Sequence, residues 1–270
     1  MRGLADPTVS VTAVAVTYVG GPTVLLEYAG LRLLTDPTFD PPGSYDDPGS
    51  TPLVKTAGPG LAVDAVEPVD AILLSHHEHA DNLDAGGRVL VGSGIPTLTT
   101  PYAATGLDLP GVTGLAPWTT AVLRAPEGEI TVTAVPGRHG PEGSEDDVGP
   151  VTGFVLESPG WPSVYVSGDN ATLDLVDEIA ARFAPVGVAV LFAGAARVPS
   201  IDGQLTLTSA DAVAAARILG ARAVVGVHTE DWKHFSESRA DLEAAFAADG
   251  MADLLVTTPR GVRVELAGTD

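Results

Sequence analysis

Every histidine of this chain stands at the end of an apolar, β-rich run or in the loop that follows one. Three lie almost together in Ser75-His76-His77-Glu78-His79-Ala80-Asp81-Asn82, directly after the apolar run 69–74. His139 follows the run 129–135, His228 follows 221–227, and His234 lies in the next loop. Asp169, in Ser167-Gly168-Asp169-Asn170, follows a fourth short run, 163–166. A fold that brings these strand ends to one edge gathers every candidate ligand there, and such edge loops are where open sites are built. Imidazole nitrogen and carboxylate oxygen suit a borderline divalent cation such as zinc, and a hydrolytic site leaves one coordination position open.

The remaining pattern describes the scaffold. Runs 11–19, 23–28 and 31–35, separated by Gly20-Gly21-Pro22 and Ala29-Gly30, read as an opening strand meander. Residues 36–60, rich in Pro, Gly, Asp and Ser, read as a long loop of the kind that is functional or mobile. A helix or turn is expected from Leu83 onward. Residues 95–100, 129–135, 151–157, 163–166 and 188–192 continue the strands. Residues 172–183, 209–219 and 238–248 carry helical periodicity, with Asp211 in the first turn of the second. Run 221–227 is a further strand, and 254–258 with 262–266 are expected to close the chain as a hairpin. Two strand series, each followed by helices, predict two sheets packed face to face with helices outside, in a single domain spanning 1–270.

Composition removes several classes of function. With 35 acidic against 14 basic residues the net charge is -21, which opposes binding to a phosphate backbone. No nucleic-acid partner is expected. No cysteine is present, so any metal is held by His, Asp and Glu. No apolar run approaches the roughly 20 residues of a membrane span, and residues 1–10 carry no secretory pattern. A cytoplasmic protein without a membrane partner is expected, and self-association into a homo-oligomer is left open.

Taken singly, His139 is explained as well by a surface or hydrogen-bonded core position, and Asp169 by a turn before Thr172. It is their joint placement after buried runs that points to a metal site.

His77-x-His79-x-Asp81-Asn82, followed in order by His139, Asp169 and His228, resembles the metallo-β-lactamase superfamily, whose first motif is His-x-His-x-Asp-His. Leu34-Thr35-Asp36-Pro37-Thr38-Phe39, Ser75-His76 and the run from His228 to Phe235 look like its ascorbate-6-phosphate lactonase-like branch. The resemblance implies an α/β fold, a four-layer αββα sandwich of two mixed β-sheets with outer helices. It implies that His77, His79 and His139 hold a first metal, that Asp81 and His228 hold a second, and that Asp169 bridges them. The ions implied are one or two Zn2+, with Mn2+ or Fe2+ as alternatives. Asn82 stands where that motif has a histidine, and an amide oxygen is a poorer zinc donor, so the second site is expected to bind weakly or stand empty. The spacing is one residue longer than usual after Ser75, so either His76 or His77 is the first ligand.

The activity implied is a metal-dependent hydrolase in which metal-bound water or hydroxide cleaves a small ester, lactone or amide. A phosphodiesterase of the same fold and a catalytically degenerate metal-binding module are the alternatives. Asp81 and Asp169 are candidates to orient the water or take its proton, and His234 to protonate the leaving group. Asp36 or Glu78 is a candidate to brace a ligand histidine. Phe39, Tyr45 and Trp232 are expected in the pocket walls, with Arg138, Arg197 and Lys233 as the nearby cations. The acidic loop 142–147 disfavours a strongly anionic substrate.

Overall fold

The computed structural model describes residues 13–45 and 52–266. The first half contributes β1 (Ala15–Gly20), β2 (Thr23–Tyr28), β3 (Leu31–Thr35), a short hairpin of β4 (Gly43–Tyr45) and β5 (Leu53–Lys55), then β6 (Ala71–Leu73), β7 (Thr97–Thr99) and β8 (Val112–Gly114). The second half contributes β9 (Thr120–Ala125), β10 (Gly128–Pro136), β11 (Thr152–Glu157), β12 (Val164–Val166), β13 (Val188–Phe192) and β14 (Ala223–Val227), and β15 (Arg263–Glu265) ends the series. A seven-stranded sheet runs in the order β15-β1-β2-β3-β6-β7-β8 and a six-stranded sheet in the order β14-β13-β12-β11-β10-β9. Both are mixed, with parallel pairing at β3-β6-β7-β8 and at β12-β13-β14.

Alternation along each strand sorts side chains between layers. Val24, Leu26 and Tyr28 of β2, and Val188, Val190 and Phe192 of β13, enter one core between the sheets. The intervening Ala189 and Leu191 face three helices, α1 (Leu173–Phe183), α2 (Ser209–Ile218) and α3 (Arg239–Ala248), through Val176, Ile179, Ala212, Leu242 and Phe246. On the other side Ile72 and Leu74 meet Val66, Leu90 and Val91 from two shorter helices, Val63–Val66 and Ala85–Gly92. Helix, sheet, sheet and helix follow one another, giving the expected αββα sandwich.

The closing segment departs from expectation. Residues 254–258 and 262–266 do not pair as a hairpin. Glu265 pairs with Ala15 at the edge of the first sheet, while Leu255 bridges to Val224 at the edge of the second. Each run finds an open sheet edge whose backbone groups need partners, which competes with pairing between the two runs. Strand β9 and the helix Pro101–Leu107 lie outside the expected elements, although Thr100 caps that helix by accepting from Ala103 N at 3.0 Å and Pro101 opens it.

The expected long loop is tethered. Asp40 accepts from Ala85 N and Gly86 N, each at 3.0 Å, and Asp84 caps the same helix through Gly87 N at 2.9 Å while accepting from Asp40 N. Lys55, one of two lysines, is buried and paired with Asp84 at 3.2 Å. A Cβ on Gly87 would lie 1.9 Å from Pro37 O, so only glycine permits this closeness. Residues 46–51 of the loop lie outside the described residues. Among the described residues no helix is long and apolar enough to cross a membrane.

Candidate metal centre

The C-terminal ends of β6, β10, β12 and β14 deliver Ser75-His76, His139, Asp169 and His228 to one place. Close approach between the sheets makes this possible. Thr152 N donates to Ser75 O at 3.1 Å, and a Cβ on Gly168, whose φ is +56°, would meet Thr152 O at 2.7 Å and Ser75 Cβ at 2.8 Å.

Two groups of ligand atoms result. His76, His79 and His139 bring one nitrogen each within 4.8 Å of one another, and Asp81, Asp169 and His228 do the same with two carboxylate oxygens and a nitrogen.

In the first group the hydrogen bonds fix the tautomers. Ser75 N and Oγ both donate to Asp36 Oδ1, at 2.7 and 2.9 Å. The hydroxyl has one proton, so the 2.9 Å contact between Ser75 Oγ and His76 Nδ1 is made by the ring N–H. The lone pair of His76 is therefore on Nε2. His139 Nδ1 lies 2.8 Å from Leu205 O, which only accepts, so its lone pair is also on Nε2. Both Nε2 atoms face His79 Nδ1, at 3.0 and 3.3 Å. Burial, with the neighbouring imidazoles of His79 and His139, holds His76 well below the usual histidine range. Burial, followed by His79, lowers His139 to about 3. These rings are neutral at neutral pH, the form that ligates a cation.

The second group is richer in charge. Asp81 Oδ2 lies 3.2 Å from His228 Nε2 and 3.0 Å from His234 Nε2. The two oxygens of Asp169 face different groups, Oδ1 being 3.7 Å from His228 Nε2 and Oδ2 3.7 Å from His139 Nε2. Burial raises the Asp81 carboxyl, but His234 and His228 overcome this and hold it well below the carboxylate range. Burial, then the Asp81 and Asp36 carboxylates, push Asp169 well above it. Among the described residues Asp169 Oδ2 and His228 Nδ1 are buried without a hydrogen-bond partner, and His228 Nε2 has only its contact with Asp81 within hydrogen-bond distance. Buried polar atoms rarely stay unpaired. Lone pairs converging on one point, carboxylates buried beside each other and orphaned ligand atoms together fit a bound divalent cation.

Other candidates fall elsewhere. His77 belongs to neither group. Its Nδ1 lies 3.1 Å from Glu78 Oε2, its ring is 5.8 Å from that of Tyr102, and its carbonyl accepts from Arg88. The one-residue extension after Ser75 thus swings His77 out and His76 in. Asn82 is also in neither group, its Nδ2 donating to Asp169 Oδ1 at 3.2 Å. Asp36 braces His76 through Ser75, whereas Glu78 holds His77.

The centre opens into a cavity of about 170 Å3. His79, Asp81, His139 and His234 line one side, and Leu53, Val148, Ala196, Val198, Ile201 and Leu205 form apolar walls, with Asp147 and Ser200. Phe39, Tyr45 and Trp232 are not among its lining residues; Tyr45 packs on Trp232 at 5.7 Å, outside it. Sequence reasoning missed the wall from Ala196 to Leu205. Its only signal was the small-residue run Ala193-Gly194-Ala195-Ala196 after β13. Arg197 and Lys233 line a neighbouring groove that shares Leu53, Val198 and His234 with the cavity.

Residues 31–229 match the model of the Beta-lactamase superfamily domain. The chain belongs to the β-lactamase superfamily. Within this superfamily fold it is similar to the isothiocyanate hydrolase from Delia radicum gut bacteria, with 21% identity, a TM-score of 0.80, and 94% of this chain and 100% of that one covered. It is similar to a possible metal-dependent hydrolase from Veillonella parvula DSM 2008 at 18% identity and a TM-score of 0.80, covering 94% and 100%. CmlA, a diiron β-hydroxylase from Streptomyces venezuelae, matches at 16% identity and a TM-score of 0.62, with 97% of this chain but 55% of that one covered.

Proposed function

We propose that this chain is a binuclear metal-dependent hydrolase acting on a small, neutral or singly charged substrate with an ester, lactone or comparably electrophilic carbon and an apolar substituent. His76, His79 and His139 would hold one ion and Asp81 and His228 a second, with Asp169, which faces both groups, available to either. A ligand set of His and Asp alone fits zinc, with manganese and iron as alternatives. When bound, the metal supplies Lewis acidity and a water nucleophile at neutral pH.

The observation that carries the substrate class is the cavity. Leu53, Val148, Ala196, Val198, Ile201 and Leu205 wall it beside the ligand residues, and among the described residues no Lys or Arg lines it. A phosphodiester in that space would meet Asp147 and, apart from the ions themselves, no cationic side chain among the described residues. The apolar wall excludes water and orients the substituent of a neutral substrate, and Arg197 and Lys233 in the adjoining groove offer a place for one negative charge at its far end. The net charge of -21 disfavours polyanionic partners in the same sense. The isothiocyanate hydrolase among the similar structures is named for a group that is likewise small, neutral and electrophilic at carbon.

The test is turnover by metal-loaded protein on matched panels of neutral aryl and alkyl esters, lactones, isothiocyanates and phosphodiesters. Turnover of one neutral class above all phosphodiesters is expected, with Leu205→Lys reducing it. A preference for phosphodiesters of more than about tenfold would overturn the substrate class.

A further inference from the structure

Resting on that metal-hydrolase reading, we propose that His234 is a protein ligand of the second metal site, supplying from a distant loop the imidazole that Asn82 does not provide. Asn82 is fully buried, with Nδ2 donating to Asp169 Oδ1 at 3.2 Å and reaching Ser75 Oγ at 3.5 Å, while its Oδ1, a weaker zinc donor than imidazole, has no hydrogen-bond partner among the described residues. Turning the amide over would set its oxygen against a carboxylate oxygen, so the hydrogen-bond network selects this orientation. The side chain therefore clamps the Asp169 carboxylate and presents no imidazole.

His234 arrives at the same place from 153 positions downstream, with Nε2 3.0 Å from Asp81 Oδ2. That same oxygen is 3.2 Å from His228 Nε2. Neighbouring donors in a tetrahedral shell with bonds of about 2.0–2.1 Å stand roughly 3.3–3.4 Å apart, so both imidazoles stand from Asp81 at the spacing of a shared shell. His234 stands outside the convergent Asp81, Asp169 and His228 set and touches it through Asp81, on a face that also lines the cavity, so ligation draws its ring inward on metal binding.

The loop that carries it is held from several sides. Thr56 N donates to Asp231 O, Lys233 N donates to Val54 O at 2.9 Å, and Arg197 N donates to His234 O at 2.9 Å. Asp231, at φ +80°, takes Gly21 N at 2.9 Å and pairs with Arg260, and His228 itself stands at φ +58°. Positive φ at two non-glycine residues is retained where surrounding structure over-determines it. These contacts set where the backbone of His234 enters the site.

Ligation and proton donation compete for one atom, because a coordinated Nε2 has no proton to give. The two roles also differ in size. Loss of a residue that only hydrogen-bonds a ligand weakens metal binding about 10–100-fold, and loss of a ligand exceeds that range. The experiment measures zinc per chain by elemental analysis, and dissociation constants by chelator competition, on the full chain. The samples are the wild type, His234→Ala and the Asn82→His/His234→Ala double variant. Two equivalents are expected in the wild type. In His234→Ala the first should be retained and the second should bind more than about 100-fold more weakly, with the double variant recovering it. A loss below about 100-fold overturns the inference, as does a wild type that saturates at one ion. A wild type that takes up no metal would instead sink the hydrolase reading itself. If His234→Ala fails to fold, the double variant decides: two ions support the assignment and one overturns it.

Discussion

The two halves of the centre are built differently. The His76, His79 and His139 group is assembled from imidazoles, two of which are oriented by partners behind them: Ser75 and Asp36 for His76, and the Leu205 carbonyl for His139. The Asp81, Asp169 and His228 group has no such backing at His228, whose Nδ1 has no hydrogen-bond partner among the described residues although the ring is packed at 5.4 Å from Phe192 and 4.1 Å from Phe235. The imidazoles of the first half are aimed by hydrogen bonds from behind; in the second the carboxylates are held by Asn82 and His234 while the His228 ring is placed by packing. A site whose ligands are already aimed loses little on binding, whereas one that buries carboxylates side by side gains most of its stabilisation from the cation. The first half should thus hold its ion more tightly in a titration, and the second should govern how much the protein is stabilised by metal.

The largest effect expected follows from removing a ligand of the braced half. His139→Ala should abolish binding of the first ion and lower turnover on the order of 1000-fold or more, since the activated water is lost with it. Elemental analysis alongside kinetics checks this. Retention of both ions in the variant would break the comparison outright. Next in size is the brace. Ser75→Ala removes the link between Asp36 and His76 and should weaken first-site affinity by about 10–100-fold while leaving the second dissociation constant within a few-fold. Equal weakening of both would show that the halves are one unit.

A third test uses pH. Burial pushes Asp36 up to about 8, against the lowering effect of its hydrogen bonds from Ser75 and with a further raise from Asp81. The folded metal-free protein thus keeps a proton on Asp36 that the unfolded chain releases near the ordinary carboxylate value of 3.8. Folding takes up that proton across the whole interval, so this contribution to stability is present below about pH 4 and is lost as pH rises toward about 8. Asp36→Asn keeps an acceptor for Ser75 without titrating. The difference in unfolding free energy between wild type and variant, measured metal-free in denaturant from pH 4 to 9, should shift against the wild type with rising pH. A difference that stays flat would remove the carboxyl from the bracing half.

How far the sequence anticipates this arrangement depends on the range of the interaction. Strand runs and helix periodicity are local, and the αββα layering follows from alternation within β2, β6, β12 and β13. The gathering of His139, Asp169 and His228 with the first cluster is also legible, because each follows a buried strand and parallel or alternating strands send those ends to one edge. What escapes is set by packing between distant segments. The closing runs choose different sheet edges because both edges are open. Leu205 orients His139 from 66 positions away, and the apolar wall from Ala196 to Leu205 has no period or motif to mark it. Tyr45 and Trp232 are near the site in sequence logic, yet they pack on each other outside the cavity.

The smallest effect belongs to the residue beside the braced half. His76 and His77 are indistinguishable by residue type, and family spacing and position after Ser75 favour different ones. In the structure the backbone turn puts His76 Nε2 against His79 Nδ1 and sends His77 toward Glu78 and Tyr102, where a Cβ on Gly106 would come within 2.5 Å of its Nε2. The contacts that His77→Ala would lose include one part-buried pair with Glu78 at 3.1 Å and a tilted ring contact with Tyr102 at 5.8 Å. Such partly exposed pairs contribute at most about 1 kcal/mol. Metal content should be unchanged and kcat should stay within about twofold, while His76→Ala loses the first ion. The reverse outcome, metal lost with His77 and kept without His76, would reassign the first ligand, and with it the brace from Asp36 through Ser75 that distinguishes the two halves.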